Sequence, residues 1–216
     1  MNHIEIINYL IEKYNYKTYL EIGVFMKECF NYIAIENKEC CDIKDWVGDN
    51  NITYLMTSDE MFARMSMNKK YDIIFIDGLH TEQQLDRDII NSLKHLNKGG
   101  LVLCHDTIGV NPKSVIEYID LAYNGFWNGS CFKSICKLNN ENIEYYTVDN
   151  EDSGLTIIKY ADNPYNISID KYKSNQTYEN LFINNDNDKY PFINNCTVQG
   201  KFVLHVISID EFLKIF

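Results

Sequence analysis

Apolar positions along the chain follow two rhythms, and the alternation between them sketches the fold. Ile4, Ile7, Ile11 and Tyr14 recur at helical spacing, which predicts a helix over residues 3–15. Thr18 to Ile22 is a short β-prone run that stops at Gly23, and a helical pattern resumes through Phe30 and Ile33. Glu39 to Ile43 and Ile52 to Met56 read as the next strands. Thr57 with Glu60 has the spacing of a capping box and opens a helix through Met61, Phe62 and Met65. Tyr71 to Ile76 is nearly all apolar, as a strand covered on both faces requires. Thr81 with Gln84 suggests a second capping box, followed by a helix carrying Leu85, Ile89, Leu93 and Leu96 and capped by Gly99 and Gly100. Leu101 to Cys104 then reads as a strand and Val115 to Ala122 as a helix.

Strands alternating with helices of these lengths predict an α/β fold with a mainly parallel sheet. Ile143 to Val148 and Leu155 to Tyr160 break the pattern, because residues 149–154 are too few for a parallel crossover. They predict an antiparallel hairpin at one edge. Past Tyr160 the chain turns rich in Asn, Asp and Tyr, and residues 161–200 read as irregular surface structure. Ser208 with Glu211 opens a closing helix, Ile209 to Phe216. The expected organisation is one domain over residues 1–160 and an extension over 161–216 packed on it.

Composition narrows the partners. The 216 residues carry a net charge of −11, which disfavours a broad nucleic-acid surface and points to a small molecule. Seven cysteines in no zinc-like spacing, with Cys41 and Cys104 inside apolar runs, suggest reduced thiols used as small hydrophobes. The amphipathic stretch Met1 to Lys17 does not resemble a signal peptide, and no apolar run reaches the ~18 residues of a membrane span. The expectation is a soluble, cytoplasmic protein with no membrane or nucleic-acid partner, as a monomer or a homodimer.

In a parallel α/β sheet, ligands bind outside the carboxyl ends of the strands. Those ends carry Glu21-Ile22-Gly23, Asp42, Ser58-Asp59, Asp77-Gly78-Leu79-His80 and His105-Asp106. Each also reads as a turn or cap residue, Asp59 above all. Gly23 permits close approach of a ligand, and Asp42 could accept hydrogen bonds from ribose hydroxyls. GxGxxG is absent, which disfavours a pyrophosphate and therefore NAD.

The segments YLEIGV (Tyr19 to Val24), CDI (Cys41 to Ile43), TSDEMF (Thr57 to Phe62), YDIIFIDGLH (Tyr71 to His80) and GGLVLCHD (Gly99 to Asp106) resemble the class I S-adenosylmethionine-dependent methyltransferases. The resemblance is to their branch of small glycan- and metabolite-associated enzymes with DGxH and a following GG-x4-HD. It implies a Rossmann-like fold with a mostly parallel seven-stranded sheet. It also implies that Glu21, Gly23, Val24, Asp42, Ile43, Ser58, Asp59 and Asp77 line the cofactor site, with S-adenosylmethionine as cofactor. Related O-methyltransferases hold magnesium at positions matching Asp77 and Asp106, so Mg2+ or another divalent metal is implied there. His105 stands where the family often has an acid, and imidazole suits softer metals. His80 matches the position of a catalytic lysine in the catechol enzymes, so His80 and His105 are the candidate catalytic residues, as proton acceptors.

One position departs from the pattern. The loop (E/D)xGxxxG would place glycine at 27, where this chain has Lys27. Either the loop widens around the side chain or cofactor binding suffers. The expected activity is O-methylation of a sugar or other small hydroxylated metabolite. A non-catalytic binding module on the same fold and an NAD-dependent oxidoreductase are the alternatives.

Overall fold

The computed structural model describes residues 1–109, 113–118, 125, 127–138, 143–159, 197–198, 201–202 and 204–216. In chain order the elements are α1 (His3–Tyr14), β1 (Thr18–Ile22), α2 (Glu28–Tyr32), β2 (Asn37–Asp42), β3 (Tyr54–Leu55), α3 (Ser58–Arg64), β4 (Tyr71–Ile76), α4 (Glu82–Lys94) and β5 (Leu96–His105). They continue with α5 (Cys131–Leu138), β6 (Tyr145–Val148), β7 (Leu155–Lys159), β8 (Thr197–Val198), β9 (Lys201–Phe202), β10 (Val206–Ile207) and α6 (Ile209–Ile215).

Eight strands form the main sheet in the order β10-β6-β7-β5-β4-β1-β2-β3, one more than the sequence predicts. The addition is β10, which pairs in parallel with β6. Within this sheet all pairings are parallel except those of β7, which runs antiparallel to both β5 and β6 and forms the expected hairpin with β6; β8 and β9 pair antiparallel apart from it. After β1 the chain moves outward to β2 and β3, then returns to lay β4 on the other side of β1. This reversal opens a crevice beyond the ends of β1 and β4, where such sheets bind ligands.

Strand parity divides the core. Ile74 and Ile76 of β4, with Val102 and Cys104 of β5, pack under α3, α4 and α5. Ile73, Phe75, Leu101 and Leu103 face the other way, against α1 and α6 through Ile6, Leu10, Phe212 and Phe216. Both faces of β4 are thus buried, as its unbroken apolar run requires. The capping boxes at Thr57 and Ser208 form as expected, and an additional one forms at Asn2. All six cysteines among the described residues are buried and free. No helix among the described residues is long and apolar enough to cross a membrane.

Three local expectations are corrected. Thr81 makes no side-chain cap; Ser130 Oγ instead accepts from Glu82 N at 2.6 Å, and Gln84 reaches across to Ser58 Oγ at 3.0 Å. Gly99 and Gly100 do not cap α4, which ends at His95. They lie within β5, where the register against β4 jumps from Tyr71↔Leu96 to Ile73↔Leu101. Residues 115–118 are turn and bend, not helix, because carbonyls there serve the neighbouring segment: Ser114 O accepts from Asn128 N and Gly129 N, and Ile116 O from Trp127 Nε1. The rest of that predicted helix, 119–122, lies outside the described residues, as do 161–196 of the extension.

Candidate active site

A cavity of about 450 Å³ occupies the crevice, lined by residues from the ends of β1, β2 and β4 and from the starts of α3 and α4. Gly23 is required at its rim: the φ of +83° is left-handed, and a Cβ would lie 2.2 Å from Asp77 O. Asp42 ties the rim together. Its Oδ2 accepts from the amides of Val24 and Phe25 at 3.0 Å each, and its Oδ1 from Lys44 N and Trp46 Nε1 at 3.2 Å each. Ile43, Trp46 and Met56 supply apolar wall, and Ser58, Gln84 and Asp88 a polar end. Asp88 is buried there, and burial pushes its carboxyl up to about 6 against the pull of Ser58 and Gln84.

Of the residues the sequence assigns to this site, Gly23, Asp42, Ile43, Ser58 and Asp77 line the cavity, whereas Glu21, Val24 and Asp59 do not. Val24 is buried and contributes its amide to Asp42. Asp59 pairs with Arg87 at 3.1 Å, in keeping with its reading as a first-turn acid of α3. Glu21 is 1% exposed and turned to the α1 side, where its Oε2 accepts from Tyr19 Oη at 2.5 Å. Burial pushes this carboxyl up to about 8, a rise that the Tyr19 bond opposes and the Asp77 charge reinforces. Lys27 also stays out of the cavity. Its backbone adopts φ +60°, the conformation natural to the glycine it replaces, and its buried side chain reaches Asp49 at 2.5 Å. Phe25, Trp46, Gln84 and Asp88 are lining residues that sequence reasoning missed; an aromatic in the polar loop after Asp42 was the one visible signal for Trp46.

Asp77 joins this cavity to a second group of residues. His80 Nε2 lies 3.3 Å from Asp77 Oδ1 and 3.4 Å from Asp106 Oδ2. His105 Nδ1 lies 3.5 and 3.4 Å from the same two oxygens. The four residues that the sequence singles out as reactive therefore converge. The segment after Trp127 holds His80 in place: Nδ1 donates to Trp127 O at 3.1 Å, the indole stacks on the imidazole, and Ser130 N donates to His80 O at 2.9 Å. Gly129 permits that approach, since a Cβ there would fall 1.8 Å from His80 O. Because Nδ1 carries the proton given to Trp127, the Nε2 lone pair of a neutral His80 faces the two carboxylates. Asp106 sits at φ +55° with its Oδ1 accepting from Asn128 Nδ2 at 2.7 Å, which leaves Oδ2 toward the histidines.

Electrostatics follow from this packing. Burial alone would lower the pKa of His80, but its Asp77 bond and the charges of Asp106 and Asp77 raise it overall. His105 is driven well above the usual histidine range, because the charge of Asp77 and that of Asp106 outweigh burial. Burial would raise Asp77, yet His105 and His80 hold it well below the usual carboxylate range. Ligand atoms of Asp77, His80 and Asp106 lie within 4.8 Å of one another, so the residues present fit a divalent cation.

Residues 45–107 match the family model of a methyltransferase domain, a stretch that holds Asp77, His80, His105 and Asp106. No curated protein matches the sequence. Among solved structures, a putative O-methyltransferase from Klebsiella pneumoniae is similar at TM-score 0.55 and 13% identity, over 74% of this chain and 80% of that one. The O-methyltransferase from Bacillus cereus in complex with SAH matches at TM-score 0.53 and 14% identity, over 73% and 80%. TomG from Streptomyces achromogenes, an O-methyltransferase in complex with SAM, matches at 0.53 and 10%, over 73% and 79%. The fold is that of the class I methyltransferases. In sheets of this kind ligands bind in the crevice outside the strand ends, and Asp77 of the Asp77–His80–Asp106 group lines that crevice here.

Proposed function

We propose that this chain is an S-adenosylmethionine-dependent methyltransferase that methylates a hydroxyl of a small polyhydroxylated acceptor, a sugar or related metabolite. The observation that carries the reading is the double membership of Asp77, which lines the cavity and also faces His80 and His105. A cofactor in the cavity and an acceptor over the His80 cluster would meet at that residue. The methyltransferase-domain match, the SAH- and SAM-bound neighbours and the DGxH motif support the reading. The turn of Lys27 toward Asp49, away from the cavity, supports the catalytic reading over a non-catalytic module.

S-adenosylmethionine, when bound, supplies an electrophilic methyl group. The chain's residues suit it: Gly23 lets the ligand approach the backbone, Asp42 would accept from the ribose by exchanging its 3.2 Å contact with Trp46 Nε1, and Ile43, Trp46 and Met56 offer apolar surface for the base. Asp77 and Asp106 would hold a divalent ion, whose charge would lower the pKa of an acceptor hydroxyl. With an ion held by Asp77 and Asp106 alone, His80 Nε2 would keep its lone pair and take the hydroxyl proton, the carboxylates beside it stabilising the imidazolium. The Trp127 carbonyl and indole hold the ring in the tautomer this requires.

Calorimetric titration with S-adenosylmethionine, S-adenosylhomocysteine and NAD tests the cofactor. Both adenosyl ligands are expected to bind and NAD is not; NAD binding alone, or no binding by any of the three, overturns the reading. Transfer of a labelled methyl group to a panel of monosaccharides, catechols, amines and thiols, with Mg2+ and then with chelator, tests the chemistry. Label appearing only on nitrogen or sulfur acceptors would refute the O-directed assignment.

A further inference from the structure

A second convergence lies behind His105, on the α1 side of the sheet. His3 enters from the first turn of α1, His105 from the last residue of β5, and Asp152 from the turn between β6 and β7. One ligand atom from each lies within 4.8 Å of the others. We propose that these three residues form a cation site, separate from Asp77–His80–Asp106, for a borderline transition-metal ion such as Zn2+. The proposal stands whether or not the chain transfers methyl groups.

Unpaired buried polar atoms motivate it. His105 Nε2 is buried and makes no hydrogen bond, while its Nδ1 faces Asp77 and Asp106, and Asp152 Oδ1 is likewise buried with no partner. Two such atoms in one group of potential ligands need an explanation, because a buried donor or acceptor left unpaired costs about 1–3 kcal/mol. The other atoms of the group are already engaged. Asp152 Oδ2 accepts from His3 N at 3.0 Å and contacts His3 Nδ1 directly, which fixes the carboxylate with Oδ1 left over.

The surroundings suit a metal more than a free-moving water. The rings of His3 and His105 meet edge-on with centroids 4.6 Å apart, and Phe75 lies against both, stacked on His3 at 5.7 Å and edge-on to His105 at 6.0 Å. An apolar wall of this kind strengthens a charge interaction by lowering the local dielectric. The side chains of His3, His105 and Asp152 keep 19, 12 and 26% of their surface, so the group is shielded but reachable from solvent. Two imidazoles and one carboxylate match the His2Glu sets of catalytic zinc sites, which leave a fourth position open. A tetrahedral ion with bonds of ~2.1 Å separates its ligands by about 3.4 Å, within the 4.8 Å that spans the present group. By contrast, Asp77, His80 and Asp106 offer two carboxylates and one imidazole, a harder set that suits Mg2+ or Mn2+ better. His105 stands between the two groups, its Nδ1 3.4–3.5 Å from Asp106 and Asp77.

The test uses the full, untagged chain stripped of metal by chelator and dialysis. Zn2+ is titrated calorimetrically, and Co2+ is added as a probe whose visible absorption reports imidazole-ligated, low-coordinate geometry. Wild-type protein is expected to bind Zn2+ and to develop the Co2+ band. His3→Gln and Asp152→Asn are each expected to lower Zn2+ affinity on the order of 100-fold and to abolish the band, since each removes one of three protein ligands. Asp77→Asn is expected to leave the band in place. Circular dichroism of each variant reports folding; should Asp152→Asn fail to fold, His3→Gln decides alone. Zn2+ affinity and stoichiometry that are the same in wild type, His3→Gln and Asp152→Asn overturn the proposal. So does a Co2+ band that disappears with Asp77→Asn and persists without His3.

Discussion

Replacing Glu21 with glutamine should stabilise the protein, and by an amount that grows with pH. Glu21 is 1% exposed, accepts from Tyr19 Oη, and has its carboxyl pushed from 4.5 up to about 8, chiefly by burial. Between those values the folded chain keeps a proton that the unfolded chain releases, so stability falls as pH rises through this window. Each pH interval costs about 1.4 kcal/mol, which makes roughly 3 kcal/mol by pH 7. Glutamine is neutral at every pH and its carbonyl can still accept from Tyr19. Its amide needs a new acceptor, at a cost of about 1 kcal/mol. The net expectation is a gain of about 2 kcal/mol at pH 7 and none, or a small loss, near pH 4.5. Urea denaturation of both proteins at several pH values between 4.5 and 8 measures the difference directly, and other titrating groups cancel in it. A difference that stays constant across the range would refute the reasoning, because it would mean that Glu21 ionises alike in both states. The same variant should bind S-adenosylhomocysteine as wild type does, since Glu21 lies outside the cavity.

Three further outcomes follow from the site. Asp42→Ala should weaken S-adenosylhomocysteine binding by about 1.5–3 kcal/mol, through loss of charge-assisted hydrogen bonds; unchanged affinity by calorimetry would remove Asp42 from the ribose site. Lys27→Gly should leave that affinity unchanged, because the side chain points to Asp49 while the backbone already has the glycine-like φ of +60°; a marked gain would mean that the lysine obstructs the cavity. Methyl transfer should rise with pH as His80 loses its proton, with the limb above the ordinary histidine value of 6.5 because Asp77 and Asp106 raise it. His80→Gln should remove the limb and slow turnover by roughly 10²–10⁴-fold; a limb that survives the substitution would assign it elsewhere.

What the sequence disclosed depended on how local the deciding contacts are. The capping boxes at Thr57 and Ser208 close within one turn and were legible; the one expected at Thr81 does not form, because Gln84 turns to Ser58 across the fold and to Asp88 one turn along its own helix. A pair of glycines after a helix reads as a cap, yet Gly100 is needed where β5 passes Asp72, whose carbonyl would lie 2.6 Å from a Cβ. The helix α5 went unread although Cys131, Phe132, Ile135, Cys136 and Leu138 mark a buried face; Lys137 then pairs with Glu82 and Asp86 to bind it to α4. Strand ends located Asp77, His80, His105 and Asp106, since a parallel sheet gathers its carboxyl termini by topology alone. His3 and Asp152 escaped notice because only the three-dimensional packing joins residues 149 positions apart.

The partners of each group explain why neighbouring carboxyls end in opposite charge states. Glu21 follows Tyr19 by two positions and turns with it to the α1 side, where the groups against it are a phenol and the Cys29 thiol. Asp77, beyond β4, faces two imidazoles. Two carboxylates this close to one another and to the apolar core resist ionising together, so the one with cationic partners keeps its charge and the other takes up a proton. The proton on Glu21 thus helps to leave Asp77 as the anion at the cavity mouth, where an acceptor, an imidazolium or a cation would need it. A glutamate at position 21 contributes to the site without touching it, by yielding the local negative charge to Asp77.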